Sequence, residues 1–142
     1  MVFLRKDIDY SFLRKRMVDG LVRVGVIRLK EVERAFLKVP REEFVWQNMK
    51  HLAYEDTPLP LGNTGQTISA PHMVAIMLEE FDLKKGLRVL EIGAGSGYSA
   101  ALMAEIVQPT ESENQGHVTS IERVSELINF AKDNLKRAGY SD

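Results

Sequence analysis

The chain contains no cysteine. Disulfides, thiolate nucleophiles and cysteine-bound metals are therefore excluded, and no metal site is expected. A cytoplasmic location is the expectation. Long apolar runs are also missing. Met1-Val-Phe-Leu4 is too short for the apolar region of a signal peptide, and charges follow at once. Nothing approaches the length needed to cross a bilayer, so no membrane partner is expected. Charge of one sign is not in excess either: 19 basic against 20 acidic residues leave a net charge of -1. That balance gives no reason to expect a nucleic-acid surface or an acidic tail. Internal repeats and low-complexity tracts are absent. What remains is a chain of 142 residues, enough for one domain with a core.

The stretch that organises the rest is Leu87 to Tyr98. Leu87, Val89, Leu90 and Ile92 form a short, branched apolar run after Gly86, which predicts a strand buried on both faces. Gly93, Gly95 and Gly97 follow, with Ser96 between the last two. Glycine there lets the backbone approach a ligand closely. Tyr98 to Val107 then has the composition and spacing of a helix. A strand, a glycine turn and a helix N-terminus together make a nucleotide site.

The third glycine of a dinucleotide fingerprint is replaced by Tyr98, and there is no Gly-Lys-Ser/Thr ending, which argues against a phosphate cradle. Glu91 precedes the glycines, where a carboxylate disfavours pyrophosphate and suits a cation. Glu122 ends a second apolar strand, His117-Val-Thr-Ser-Ile-Glu122, where an acid holds ribose hydroxyls in doubly wound folds. These features fit S-adenosylmethionine, which carries a sulfonium and an ammonium but no phosphate. The plain alternative is a strand-turn-helix with no ligand.

Upstream, residues 7–24 pattern as an amphipathic helix with Tyr10, Leu13, Met17, Leu21 and Val24 on one face and Arg14, Lys15, Arg16 and Asp19 mostly away from it. Gly25 ends it. A second helix runs from Leu29 to Leu37, with Val32, Ala35 and Phe36 inward, and Pro40 stops it. Arg41 to Leu61 is irregular and aromatic-rich. Gly62 to Gly65 is a turn. Ser69 is placed to cap a helix starting near Pro71 and running to about Phe81. Gln108 to Gly116 is a polar loop. Ser125 opens a last helix, Glu126 to Ala138, with Leu127, Ile128, Ala131 and Leu135 inward and Gly139 after its end. The expected organisation is residues 1–65 as helices and an aromatic segment packing on the same domain, and 66–142 as its nucleotide-binding part.

Gly65-Gln-Thr-Ile-Ser-Ala-Pro-His-Met73, Val89-Leu-Glu-Ile-Gly-x-Gly-Ser-Gly-Tyr98, Ser120-Ile-Glu-Arg123 and His51-Leu-Ala-Tyr-Glu-Asp-x-Pro-Leu-Pro60 together resemble the protein-L-isoaspartate O-methyltransferase family. The stretch around Ser69 is the specific part. The glycine motif and the acid are shared by many methyltransferases. The resemblance covers the chain from about residue 10 onward. It implies an α/β fold, the Rossmann-like fold of class I S-adenosylmethionine-dependent methyltransferases, with an N-terminal helical cap and only the first strands of the sheet. It implies an enzyme that methylates the α-carboxylate of L-isoaspartyl residues in damaged proteins. The ester recloses to a succinimide and gives the chain another chance to return to aspartate.

By the same resemblance, Ser69 matches the family's active-site serine. Ile68, Ala70 and His72 lie on the segment lining the cofactor and substrate pocket. Gly93 and Gly95 pass under the methionine part of S-adenosylmethionine, Ser96 and Gly97 complete that loop, Glu122 binds the ribose, and Arg123 lies beside the adenine. Family members continue with further strands after the point where this chain reaches Asp142. The expectation is therefore half of a longer protein, or a sheet completed by another chain in an oligomer, with weak cofactor binding and slow or no turnover for the piece alone. A methyltransferase with a different acceptor, and a non-catalytic fragment that binds a partner, are the alternatives.

Overall fold

The computed structural model describes residues 7–109, 113 and 115–140. The remaining residues lie outside the description, and with them part of the polar loop 108–116 and the first residues of the N-terminal segment.

Two helices lead. Helix α1 spans Tyr10–Arg23 and α2 spans Lys30–Lys38. The side chain of Asp9 caps α1 by accepting the Phe12 N–H at 3.0 Å. Met17, Val18 and Leu21 are its buried face. Val24, expected inward, is exposed, because the chain turns away at Gly25. Arg14, expected mostly outward, instead reaches inward to Glu42 at 3.0 Å and to the Tyr54 hydroxyl at 2.8 Å. Val32, Ala35 and Phe36 of α2 are buried as the spacing required. The turn before α2 is tied down by Glu79, whose Oε1 accepts the N–H of Arg28 and of Leu29, both at 2.9 Å.

The aromatic stretch contains two short 3-10 turns, Arg41–Glu43 and Gln47–Leu52. Strands β1, Leu59–Pro60, and β2, Thr67–Ile68, then pair antiparallel around the Gly62–Gly65 turn. Helix α3 spans Pro71–Glu80. Its N-cap is Ala70 and no side chain caps it. Pro71 at the first helical position moves the cap to the residue before it, so the expected Ser69 cap is not made. The free N–H of His72 is taken instead by Asp56, at 2.9 Å.

The parallel unit follows. Strand β3 is Arg88–Ile92, α4 is Tyr98–Val107, β4 is His117–Ile121 and α5 is Ser125–Ala138. The strands are in register from Arg88 opposite His117 to Ile92 opposite Ile121. Helix α4 is the centre of the molecule: it packs on α2 and on the β3–β4 pair, and most of its residues are buried. Tyr98 at its start lies edge-on to Phe36, with ring centres 6.2 Å apart, and touches Phe44 at 5.6 Å. The expectation of a strand buried on both faces is corrected. Val89 is buried, but Leu90 and Ile92 are 60% and 80% exposed. Alternate side chains of a strand point to opposite faces, and among the described residues only one face of this pair is covered by helix. No helix of the described residues is long and apolar enough to cross a membrane.

Candidate active site

The glycine turn after β3 is where two loops approach each other. Gly93 and Ala94 donate their N–H groups to Ile121 O, at 2.8 and 3.0 Å, which carries the parallel pairing past the strand end. Gly97 has φ 88° and is the N-cap of α4. A Cβ there would lie 3.1 Å from the Leu135 side chain and 3.3 Å from Ala131 O. Glycine at that position therefore serves both the left-handed turn and the close seating of α5.

Glu122, just past β4, faces this turn. Its Oε2 accepts the Gly95 N–H at 3.0 Å, and its Oε1 accepts those of Arg123 and Val124 at 2.8 and 3.0 Å. The bonds from Val124 and Gly95 hold its pKa below the ordinary carboxylate value. Both lone pairs of Oε1 are thereby engaged, and Oε2 keeps one for a further donor. Around these groups is a cleft of about 440 Å³, lined by Gln66 and Thr67 on one side, by Gly93 and Gly95 on another, and by Glu122, Arg123, Val124 and Leu127. That volume is in the range of small-molecule sites, roughly 300–1,000 Å³. It contains no lysine, and its one guanidinium is the exposed Arg123.

Of the residues singled out by sequence, Gly93, Gly95, Glu122 and Arg123 line this cleft directly. Ser96 and Gly97 are buried behind it. Ile68 is buried in the β2 pairing, and Ala70 is buried at the α3 cap. Ser69 lies between them, half-buried, and its hydroxyl has no hydrogen-bond partner among the described residues. Its carbonyl accepts from Arg41 at 2.9 Å. His72 is half-exposed and its Nδ1 meets Asp56 at 2.9 Å. Glu91 does not line the cleft. It accepts the Ser120 hydroxyl across the strand pair and borders a separate apolar groove with Met77, Phe81 and Leu90. Burial raises its pKa, the Ser120 bond opposes this, and the charge of Glu122 adds to the rise.

Sequence reasoning missed Gln66, Thr67, Ile92, Ile121, Val124 and Leu127 as lining residues. Gln66 and Thr67 stand in the specific stretch itself. Leu127 was placed inward but not at a site. It also missed Asn134, a polar residue on the buried stripe Leu127, Ala131, Asn134. A lone amide on an otherwise apolar face was the available signal.

A parallel strand, a glycine turn leading into a helix, and a second strand ending in an acid over that turn define the unit of the Rossmann-like S-adenosylmethionine-dependent methyltransferases. Comparison with known proteins is more specific. Residues 13–142 match the family model described as Protein-L-isoaspartate(D-aspartate) O-methyltransferase (PCMT). Proteins named protein-L-isoaspartate O-methyltransferase from Hyperthermus butylicus and Staphylothermus marinus are 62% and 57% identical over 131 and 127 residues. Those alignments cover 91% and 89% of this chain, and 54% and 56% of the relatives. A crystal structure of a beta-aspartate methyltransferase (PCMT) from Plasmodium falciparum, in complex with S-adenosyl-L-homocysteine, superposes with a TM-score of 0.76 at 36% identity. It is matched over 88% of this chain and 56% of that one. The chain belongs to the protein-L-isoaspartate O-methyltransferase family. It spans about half the length of the relatives it matches.

Proposed function

We propose that this chain supplies the cofactor cleft and the acceptor-side loop for methyl transfer from S-adenosylmethionine to the α-carboxylate of L-isoaspartyl residues in damaged proteins. One observation carries the proposal: the Gln66–Thr67 end of the Ser69 segment shares a cleft with Gly93, Gly95 and Glu122. The cleft fits such a cofactor. It has an acid with spare acceptor capacity and no phosphate cradle. Glu122 would hold the ribose hydroxyls, Gly93 and Gly95 the methionine portion, and Arg123 would lie beside the adenine. When bound, S-adenosylmethionine supplies an electrophilic methyl group on a sulfonium.

The chain's own task is then modest. An α-carboxyl group has a pKa of roughly 3.5, so the acceptor is ionised at neutral pH and needs no general base. What lowers the barrier is alignment and removal of water, worth roughly 7–11 kcal/mol for well-oriented groups. The Ser69 hydroxyl can donate one hydrogen bond to a carboxylate oxygen without acting as a nucleophile. Ile68 and Ala70 on either side of it are buried and anchor the loop, and His72, which meets Asp56, follows in the same segment.

The test uses methyl-labelled S-adenosylmethionine and two peptides that differ only in isoaspartyl or aspartyl linkage. Label on the isoaspartyl peptide alone is expected. Label on both, or on neither, contradicts the proposal. Ser69→Ala should lower turnover by roughly tenfold, the worth of one hydrogen bond to a charged group; unchanged turnover would remove the serine from the site.

A further inference from the structure

The two loops of the cleft are each held from behind by a fully buried polar side chain. Behind the Ser69 loop stands Arg41, which is 0% exposed. Its Nε donates to Ala53 O at 2.8 Å and its Nη2 to Ser69 O at 2.9 Å. The guanidinium carbon lies 4.9 Å from the centre of the Tyr98 ring. Behind the glycine loop stands Asn134, also 0% exposed, whose Nδ2 donates to Ser96 O at 2.9 Å. Arg137 fixes that amide, because its Nη2 donates to Asn134 Oδ1 at 2.6 Å. The same guanidinium donates to Glu43 O at 3.1 Å and to Glu43 Oε2 at 3.2 Å.

Arg41 and Glu43 belong to one three-residue 3-10 turn. The turn itself is pinned to α1, since Glu42 between them accepts from Arg14 and from the Tyr54 hydroxyl. This turn is thus joined to both sides of the cleft.

Stability alone is a poor account of Arg41. Taking a charge out of water is costly, and Arg41 makes no ion pair among the described residues. What a guanidinium provides is a rigid planar fork that fixes two carbonyls in direction as well as distance. Glu43, by contrast, is a carboxylate whose pKa is depressed: burial opposes ionisation, but Lys50 and Arg137 outweigh it.

We propose that the turn Arg41–Glu43 is a positioning element for methyl transfer, with Arg41 setting the Ser69 loop and Glu43, through Arg137 and Asn134, setting the glycine loop. This rests on the function proposed above. It goes further in assigning the two loops to separate branches of one anchor.

The two branches make a crossed pattern measurable on the whole chain. Arg41→Met should lower kcat for the isoaspartyl peptide by about tenfold or more, the loss of a charge-assisted hydrogen bond. It should weaken S-adenosylhomocysteine by less than it lowers kcat, because only Gln66 and Thr67 of that loop line the cofactor cleft. Arg41→Lys should not rescue kcat, since an ammonium at the end of a flexible stem lacks the rigid planar fork that fixes the direction of both carbonyls. Asn134→Leu should do the reverse, weakening S-adenosylhomocysteine by about tenfold while kcat at saturating cofactor holds. Glu43→Gln should follow Asn134→Leu in direction with a smaller change.

Hydrogen exchange gives a readout that needs no turnover. Arg41→Met or Arg41→Lys should raise deuterium uptake more in residues 66–70 than in residues 93–97, and Asn134→Leu or Glu43→Gln more in residues 93–97 than in residues 66–70. Equal changes in both segments, or rescue by lysine, overturn the proposal. If the wild-type chain methylates no isoaspartyl peptide, the function fails, and selective exchange would still sustain the two branches. If Arg41→Met does not fold, the lysine and Glu43→Gln variants decide.

Discussion

The β3–β4 pair has two faces with opposite fates. On one, Val89 is buried and Glu91, Val118 and Ser120 are half-buried against the helix layer. On the other, Arg88, Leu90, Ile92, His117, Thr119 and Ile121 are all exposed. The two faces alternate along the same strands in the same register. The difference is therefore set by what lies on them. Helix α4 covers the first face, with Ala101, Leu102 and Val107 at 0% exposure. On the second, Ile92 and Ile121 stand opposite each other at 80% and 50% exposure. An apolar residue contributes to stability only through the water it displaces, so identical side chains count fully on one face and little on the other.

That contrast can be broken hardest at the covered side. Phe36→Ala removes a fully buried ring that packs against Tyr98, and should cost about 3–5 kcal/mol in urea unfolding. A loss near zero would mean that the helix layer is not the source of stability. Next comes Gly116→Ala, where a Cβ would lie 2.2 Å from Val107 O and only backbone movement can relieve it. The expected loss is about 1–3 kcal/mol, seen as a lower urea midpoint.

The two strand-end acids should show smaller effects of opposite sign. Glu91 holds its proton more tightly when folded, so it lowers stability as pH rises from the ordinary value of 4.5 through its raised pKa. Glu122 has a lowered pKa, so its contribution is present above 4.5 and is lost as pH falls through the folded value. Urea midpoints measured across pH 3 to 7, a window of roughly two units about the carboxylate range, should respond accordingly. Glu91→Gln should remove the decline on the alkaline side, and Glu122→Gln the loss on the acid side. Matching slopes for the two variants would contradict the geometry. Smallest of all, Ile92→Ser on the open face should change stability by no more than about 0.5 kcal/mol. It should also lower binding of an apolar fluorescent dye, because it shrinks an exposed patch.

Much of this was legible in the sequence. Helix α4 runs from Tyr98 to Val107 as composition and spacing required, and the inward set of α2 is the expected one. Gly93, Gly95, Glu122 and Arg123 meet in one cleft although Glu122 lies 27 residues beyond Gly95. What escaped was set by distant partners. The Ser69 cap gave way to Ala70 because Pro71 fixes the helix start, and Asp56 supplied the acceptor from 16 residues away. Arg41 and Asn134 bind carbonyls 28 and 38 residues off, which periodicity does not encode. Burial on both faces was expected of β3 from its composition alone, but burial depends on which elements are laid over a strand.

The proposed function requires the cleft formed by Gly93, Gly95 and Glu122 to seat S-adenosylmethionine. It is tested most directly by titrating S-adenosylhomocysteine into the labelled protein and following backbone amide shifts. Shifts centred on Gly93 to Gly97 and Glu122 to Val124, abolished by Glu122→Ala, are the expected result. Saturating ligand without movement of those amides, or with shifts confined to another surface, would contradict it.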